Sequence, residues 1–156
     1  MSAWRNDITD ALAAFRTVSD GAGAPISTQE IVVEFCDAPH TAPKSLPTGK
    51  VAVYGFWGSG SWLKIGKAGP KSNARYTSQH YHANSAPSTL ARTLAECPDM
   101  RSQAGFDAER PGDWIRGSTH RVNILLTERY NGPVLALLEA YLHVRLRPRY
   151  EGRSNV

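Results

Sequence analysis

The chain reads as an α+β fold: a small three-stranded antiparallel sheet flanked by helices, with an N-terminal helical extension. Three observations predict this. Two β-branched and aromatic runs, Lys50–Trp57 and Trp62–Gly66, flank the turn-forming Gly58-Ser59-Gly60-Ser61, so residues 50–66 form a hairpin. Arg121–Thr127 (Arg-Val-Asn-Ile-Leu-Leu-Thr) supplies a third strand. Leu135, Leu138, Leu142 and Leu146 recur at helical spacing after Gly132-Pro133, with proline suited to a first helical turn. A chain of 156 residues that is 41% apolar can bury a real core, and is too short for two comfortable ones.

In chain order, residues 2–18 form an amphipathic helix, with Trp4, Ile8, Leu12 and Phe15 spaced by three or four. Asp20-Gly21-Ala22-Gly23-Ala24-Pro25 breaks it. Residues 27–36 carry helix-start signals in Ser27, Thr28 and Glu30, yet Ile31-Val32-Val33 fits a strand equally well. Pro39, Pro43, Pro47 and Gly49 make 37–49 a loop or linker, which divides the chain into an extension, 1–49, and a main domain, 50–156. After the hairpin, Ser72 caps a helix running to about His82, with Arg75, Gln79 and His82 along one polar side. A short helix follows at 88–97, and 98–113 is an excursion. In the returning strand, Lys64 points away from Leu63 and Ile65. In the last helix Glu139 lies about 40° around the axis from Leu135, so it faces the protein body, where a carboxylate needs a partner or a cation.

Composition narrows the function classes. No run reaches the roughly 20 apolar residues of a membrane helix, and the first residues lack the apolar core of a signal peptide. Cys36 and Cys97 are single and far apart, as in a cytoplasmic protein with free thiols. The formal charge of +4 is modest, but its distribution is not. Between Asp37 and Glu96 there is no acidic residue, while Lys44, Lys50, Lys64, Lys67, Lys71, Arg75 and Arg92 all fall there. Arg145, Arg147, Arg149 and Arg153 form a second basic cluster. A one-signed field of this kind suits a polyanion, and nucleic acid is the expected partner. The histidines at 80, 82, 120 and 143 lack zinc-site spacing and are read as surface residues.

Tyr54 precedes Lys64 by ten residues, and Lys64 precedes Arg75 by eleven. With Glu139 they make a set able to hydrolyse a phosphodiester. Tyr54 is the candidate general base, although at an unperturbed pKa only about one phenol in a thousand is ionised at neutral pH. Lys64 would favour the phenolate or hold the attacking water. Arg75 offers a planar fork for phosphate oxygens. Glu139 is the candidate ligand of one hard divalent cation, Mg²⁺ or Mn²⁺.

The motif arrangement resembles the GIY-YIG nuclease superfamily. Ala52-Val53-Tyr54 stands where the first name motif would, and Lys64-Ile65-Gly66 where the second would, with lysine replacing tyrosine as in some small restriction endonucleases of that family. The resemblance covers roughly residues 50–151. It implies a divalent-cation-dependent DNA endonuclease, acting on duplex DNA in restriction or defence against foreign DNA, with one metal ion per site. It implies a catalytic role for Tyr54, Lys64, Arg75 and Glu139, and a homodimer if both strands are cut together. Lys67 matches a position often basic in the family. Lys71, His80, Arg116 and Arg121 are further candidates for substrate contact. Gln79 departs from the tyrosine or histidine that many relatives carry four residues after the arginine, and Glu151 stands near their usual asparagine. The alternative is a catalytically weak nucleic-acid-binding module on the same fold.

Overall fold

Four segments of the chain, not three, place β-branched and aromatic residues in alternation, and all four are strands. The computed structural model describes residues 1–151. It contains one four-stranded antiparallel sheet and six helices. The strands are β1 (Ile31–Cys36), β2 (Lys50–Gly58), β3 (Ser61–Ala68) and β4 (His120–Thr127), in the order β1-β4-β2-β3. β1 corrects the expectation of three. It pairs with β4 from Ile31 opposite Leu126 to Cys36 opposite Arg121. Ile31, Val33 and Phe35 pack inward while Val32 and Glu34 are exposed, the period-two pattern of a sheet edge. Ser27 does accept a hydrogen bond from the Gln29 N–H, but it starts only a 3-10 turn, Thr28–Glu30, that ends where the strand begins.

The helices are α1 (Ala3–Gly21), α2 (Asn73–Thr77), α3 (Leu90–Glu96), α4 (Pro98–Arg101), α5 (Pro111–Ser118) and α6 (Pro133–Leu146). α1 and α6 cover one face of the sheet. Trp4, Ile8, Ala11 and Phe15 meet Leu135, Leu138 and Leu142 there, over Val53, Ile65 and Ile124. The first 36 residues thus contribute a helix and a strand to the same sheet and core as the rest. α2 to α5 cover the other face, over Ala52, Tyr54, Phe56 and Leu125. Among the described residues no helix is long and apolar enough to cross a membrane.

Two helical segments differ from the sequence reading. The expected helix from Ser72 to His82 stops at Thr77 and continues as a 3-10 turn, Gln79–Tyr81. Tyr76, His80 and Tyr81 are all buried, and on an unbroken α-helix Tyr76 and Tyr81 would lie about 140° apart. The break turns both towards the sheet. The stretch expected to be an excursion contains α4 and the start of α5, with Pro111 in the first turn of α5 and Trp114 and Ile115 in the core.

The β2–β3 hairpin sets the geometry on which the site depends. Ser59 (φ 51°) and Gly60 (φ 78°) form a two-residue turn of the twisted kind that hairpins favour. Gly58 then pairs with Ser61 and Trp57 with Trp62, but Phe56 pairs with Lys64. Leu63 is the extra residue of a β-bulge. Beyond it Tyr54 lies opposite Gly66, and directly opposed residues share a face. Lys64 and Gly66 therefore lie on the side of Tyr54 and Phe56. Leu63, expected with Ile65, joins the Tyr54 cluster instead, while Ile65 packs in the α1–α6 core.

The outer edge of β3 is covered by the segment after α6. The Arg149 N–H donates to the Trp62 carbonyl at 2.9 Å and the Tyr150 N–H to the Leu63 carbonyl at 3.0 Å. Glu151 Oε1 accepts from the Ile65 N–H at 3.0 Å.

Candidate functional site

Tyr54 sits on a central strand, fully buried, and its ring crosses to β3 through the gap left by a glycine. A Cβ on Gly66 would lie 2.7 Å from the Tyr54 hydroxyl and 2.8 Å from its ring carbon Cζ. Neither atom has free space to move into, because the ring is packed against Phe56, Tyr76 and His80. Gly66→Ala is therefore expected to displace the phenol, and the loss should appear first in any activity that needs it. A Gly66→Ala protein with an unchanged Tyr54 environment by NMR would refute this.

The hydroxyl of Tyr54 meets His80 Nε2 at 2.7 Å. The other ring nitrogen of His80, Nδ1, accepts the Leu90 backbone N–H at 3.1 Å. That bond leaves the proton of a neutral imidazole on Nε2, so His80 donates to the tyrosine oxygen. Burial pushes His80 down to about 2, with Arg75, Lys64 and Arg121 adding to the effect, so the ring is neutral. His80 was expected to touch phosphate; it is buried behind Tyr54 and orients its oxygen instead.

The charged groups arrive from three other elements. Arg75, half-buried on α2, lies beside the phenol, and Glu139 on α6 acts on it from the β3 side. Burial pushes Tyr54 up to about 12; Arg75 and Arg121 oppose that and Glu139 reinforces it. Lys64 is buried, with its ammonium 3.6 Å from Glu151 Oε1. Glu139, whose side chain is 23% exposed, pairs with the exposed Lys67 at 3.2 Å. Arg75 of α2 and Glu139 of α6 thus bear on the Tyr54 phenol where it crosses Gly66, and Lys64 of β3 bears on the His80 ring that holds that phenol.

Glu139 is a partly exposed carboxylate whose only ion-pair partner among the described residues is the ammonium of the exposed Lys67. No group of three or more His, Cys, Asp or Glu side chains is arranged to hold a metal among the described residues. One carboxylate fits a hard cation that keeps most of its water, Mg²⁺ or Mn²⁺, and does not fit zinc.

The remaining candidates divide. Lys71 is exposed and open to a polyanion. Arg116 lies over the Tyr81 ring at 5.0 Å and lines a cleft of about 360 Å³ with His82, Asn84 and Arg110. Arg121 was expected at a phosphate-contacting edge, but it is 0% exposed and cannot reach a bound strand. It pairs across from Phe56 on the inward face of β4. In the terminal basic cluster Arg145, Arg147 and Arg149 are accounted for, with Arg149 3.3 Å from Asp99, while Arg153 lies outside the described residues.

Buried neutral histidines carry a pH consequence. His80 and His40 are both held below the ordinary histidine value, chiefly by burial. Below about pH 6.5 the unfolded chain binds protons that the native state does not, so stability falls as pH falls. The loss is up to about 1.4 kcal/mol per pH unit for each histidine. Thermal melts between pH 7 and pH 4 should show a steep decline that His40→Gln reduces. Melts independent of pH over that range would contradict the burial of these rings.

Compared with family models, curated proteins and solved structures, the chain matches none. Sequence reasoning missed Asn123 and the Leu90 N–H, and it set Glu151 aside. Arg121 and Asn123 stand two apart on an otherwise apolar strand, which was a readable sign that both point to one face.

Proposed function

We propose that this protein is a GIY-YIG-type endonuclease that hydrolyses DNA phosphodiesters with a divalent cation. The observation that carries the reading is that Arg75 and Glu139 act on the Tyr54 phenol where it crosses Gly66, with Lys64 acting on the His80 ring that holds it. Support also comes from the register, which sets the tyrosine of the first motif opposite the glycine of the second.

In this reading Arg75 binds the scissile phosphate through its planar fork and stabilises charge as it builds on the phosphoryl oxygens. Tyr54, with its oxygen oriented by His80, takes the proton of the attacking water. Lys64, fixed by Glu151, adds positive charge at that water. Glu139 would hold the cation, giving up Lys67 to do so, and the bound cation would supply Lewis acidity to a phosphate oxygen and favour the phenolate. Lys67, once released, is free to meet the DNA backbone. The acid-free stretch from Asp37 to Glu96 contributes the field that draws DNA to this edge.

The second reading, a binding module with weak catalysis, draws on the burial of Tyr54, which keeps the phenol protonated at neutral pH in the free protein. Nicking of supercoiled plasmid by purified protein with Mg²⁺ or Mn²⁺, followed by mapping of the ends, separates the two. Retardation of DNA without metal-stimulated nicking would overturn the nuclease reading.

A further inference from the structure

Arg121 is a fully buried cation, and among the described residues it has no carboxylate in ion-pair contact. Its hydrogen bonds go to neutral acceptors. Nε donates to Asn123 Oδ1 at 2.7 Å, Nη1 to the Tyr81 hydroxyl at 3.0 Å and Nη2 to the Tyr76 carbonyl at 2.6 Å. The guanidinium carbon sits 5.0 to 5.9 Å from the rings of Tyr54, Phe56, Tyr76 and Tyr81. Tyr81 in turn is held by His40, whose Nδ1–H donates to the Thr119 carbonyl at 2.7 Å, so His40 Nε2 accepts the Tyr81 hydroxyl proton at 2.8 Å. Three of the five N–H groups of Arg121 are thus assigned, and none of the acceptors they meet is charged.

A buried charge without a countercharge is costly, and most proteins avoid it. Here a carboxylate is close but kept out of contact. Glu34 on β1 accepts a 3.3 Å hydrogen bond from the Asn123 amide, and Asn123 stands between it and Arg121. The asparagine is a neutral spacer where an aspartate would complete a salt bridge.

We propose that Arg121 is a positioning residue for Tyr54, a fixed internal cation that stabilises the phenolate from the side away from substrate, and that Asn123 preserves this charge by being uncharged. The inference rests on the reading of Tyr54 as the base, and it gives the charge its reason. The phenol is faced by Arg75 from α2, His80 from the 3-10 turn, Arg121 from β4 and Glu139 from α6, with Lys64 of β3 acting on the His80 ring behind it. Arg121 itself is faced by Glu34 and Cys36 of β1, and by Tyr76 and Tyr81. Arg75 is half-exposed and engaged when phosphate binds, whereas Arg121 acts on Tyr54 in every state of the site.

The test is Asn123→Asp in a Glu34→Gln background, which keeps the side-chain shape and the arginine, neutralises its charge in place, and avoids setting a second carboxylate 3.3 Å from that of Glu34. Fluorinated tyrosine incorporated at position 54 has a more acidic phenol and brings its titration into an accessible range, read by ¹⁹F NMR. Asn123→Asp should raise the Tyr54 midpoint by about one pH unit, about tenfold less phenolate at a given pH, with the melting temperature retained or increased. Arg121→Met should raise it similarly; if that variant fails to fold, Asn123→Asp carries the test alone. A midpoint unmoved in folded Asn123→Asp would make Arg121 a structural cation and overturn the proposal. The ¹⁹F measurement needs no DNA, so it stands apart from the nuclease reading. If the midpoint rises and the wild type never nicks DNA, the assignment of Arg121 holds and the role of Tyr54 as base falls.

Discussion

Arg75→Ala is expected to abolish plasmid nicking while leaving the melting temperature close to wild type. The arginine is half-exposed on α2, a helix of five residues, and makes no ion pair among the described residues. Truncating such a side chain costs little stability. Its guanidinium lies beside the Tyr54 phenol, however, and in the proposed mechanism it is the cation that meets the phosphate. Removing a group that stabilises developing charge typically lowers a rate by about 10² to 10³. A second effect has the same sign. Arg75 is the largest charge opposing the burial of Tyr54, so its loss also raises the phenol and thins the phenolate. Arg75→Lys separates the two contributions, since it keeps the charge but not the fork. Full activity in Arg75→Ala would remove this residue from the mechanism.

Glu139→Gln is expected to retain DNA binding and lose metal-stimulated cleavage. The sequence left open whether this carboxylate was a buried salt-bridge partner, in which case losing it would strand an arginine and lower stability markedly. Its partner is instead the exposed Lys67, at 3.2 Å, and exposed pairs of this kind are worth about 0–1 kcal/mol. The melting temperature should therefore hardly move. The removed charge is the one a hard cation needs from its single protein carboxylate. Binding to DNA without metal should strengthen, because a negative group near the backbone is gone and Lys67 is released. Nicking rate and melting temperature on one preparation decide the matter. A variant that still cuts with Mg²⁺ would take Glu139 out of the metal site.

Much of the frame was legible because periodicity reports burial directly. The hairpin, the strand beginning near Arg121, the α1 stripe of Trp4, Ile8 and Phe15, and the leucine face of α6 all follow from which residues must leave water. β1 stayed ambiguous because a helix-start signal at Ser27 and a strand at Ile31 lie side by side, each real over its own few residues. Of the candidate site, Tyr54, Lys64, Arg75 and Glu139 could be chosen by residue type and spacing. Which polar side chains turn inward could not be chosen that way. His80 and Arg121 look like surface residues in the sequence, and both are buried because neighbours supply their hydrogen bonds: Leu90 for one; Asn123, Tyr76 and Tyr81 for the other. Such partners come from distant segments, and composition carries no record of them.

The extra residue at Leu63 has a consequence for how such a centre arises and is lost. Were Leu63 paired with Phe56 in a regular ladder instead of bulged, Tyr54 would face Ile65 and Lys64 would face Gly55, sending the ammonium into the apolar core beside Trp62. The tyrosine would meet an isoleucine where it now crosses a glycine. Every residue type needed for the chemistry would still be in the chain, on the wrong sides of the sheet. Which side chains share a face is thus set by the bulge in a hairpin arm as much as by the arm's composition. An alanine scan would report Leu63 as ordinary packing, and deleting its codon would remove the bulge while leaving Phe56 opposite Lys64 and Tyr54 opposite Gly66. Deleting Ile65, by contrast, would let the arm pair regularly and put Lys64 opposite Gly55.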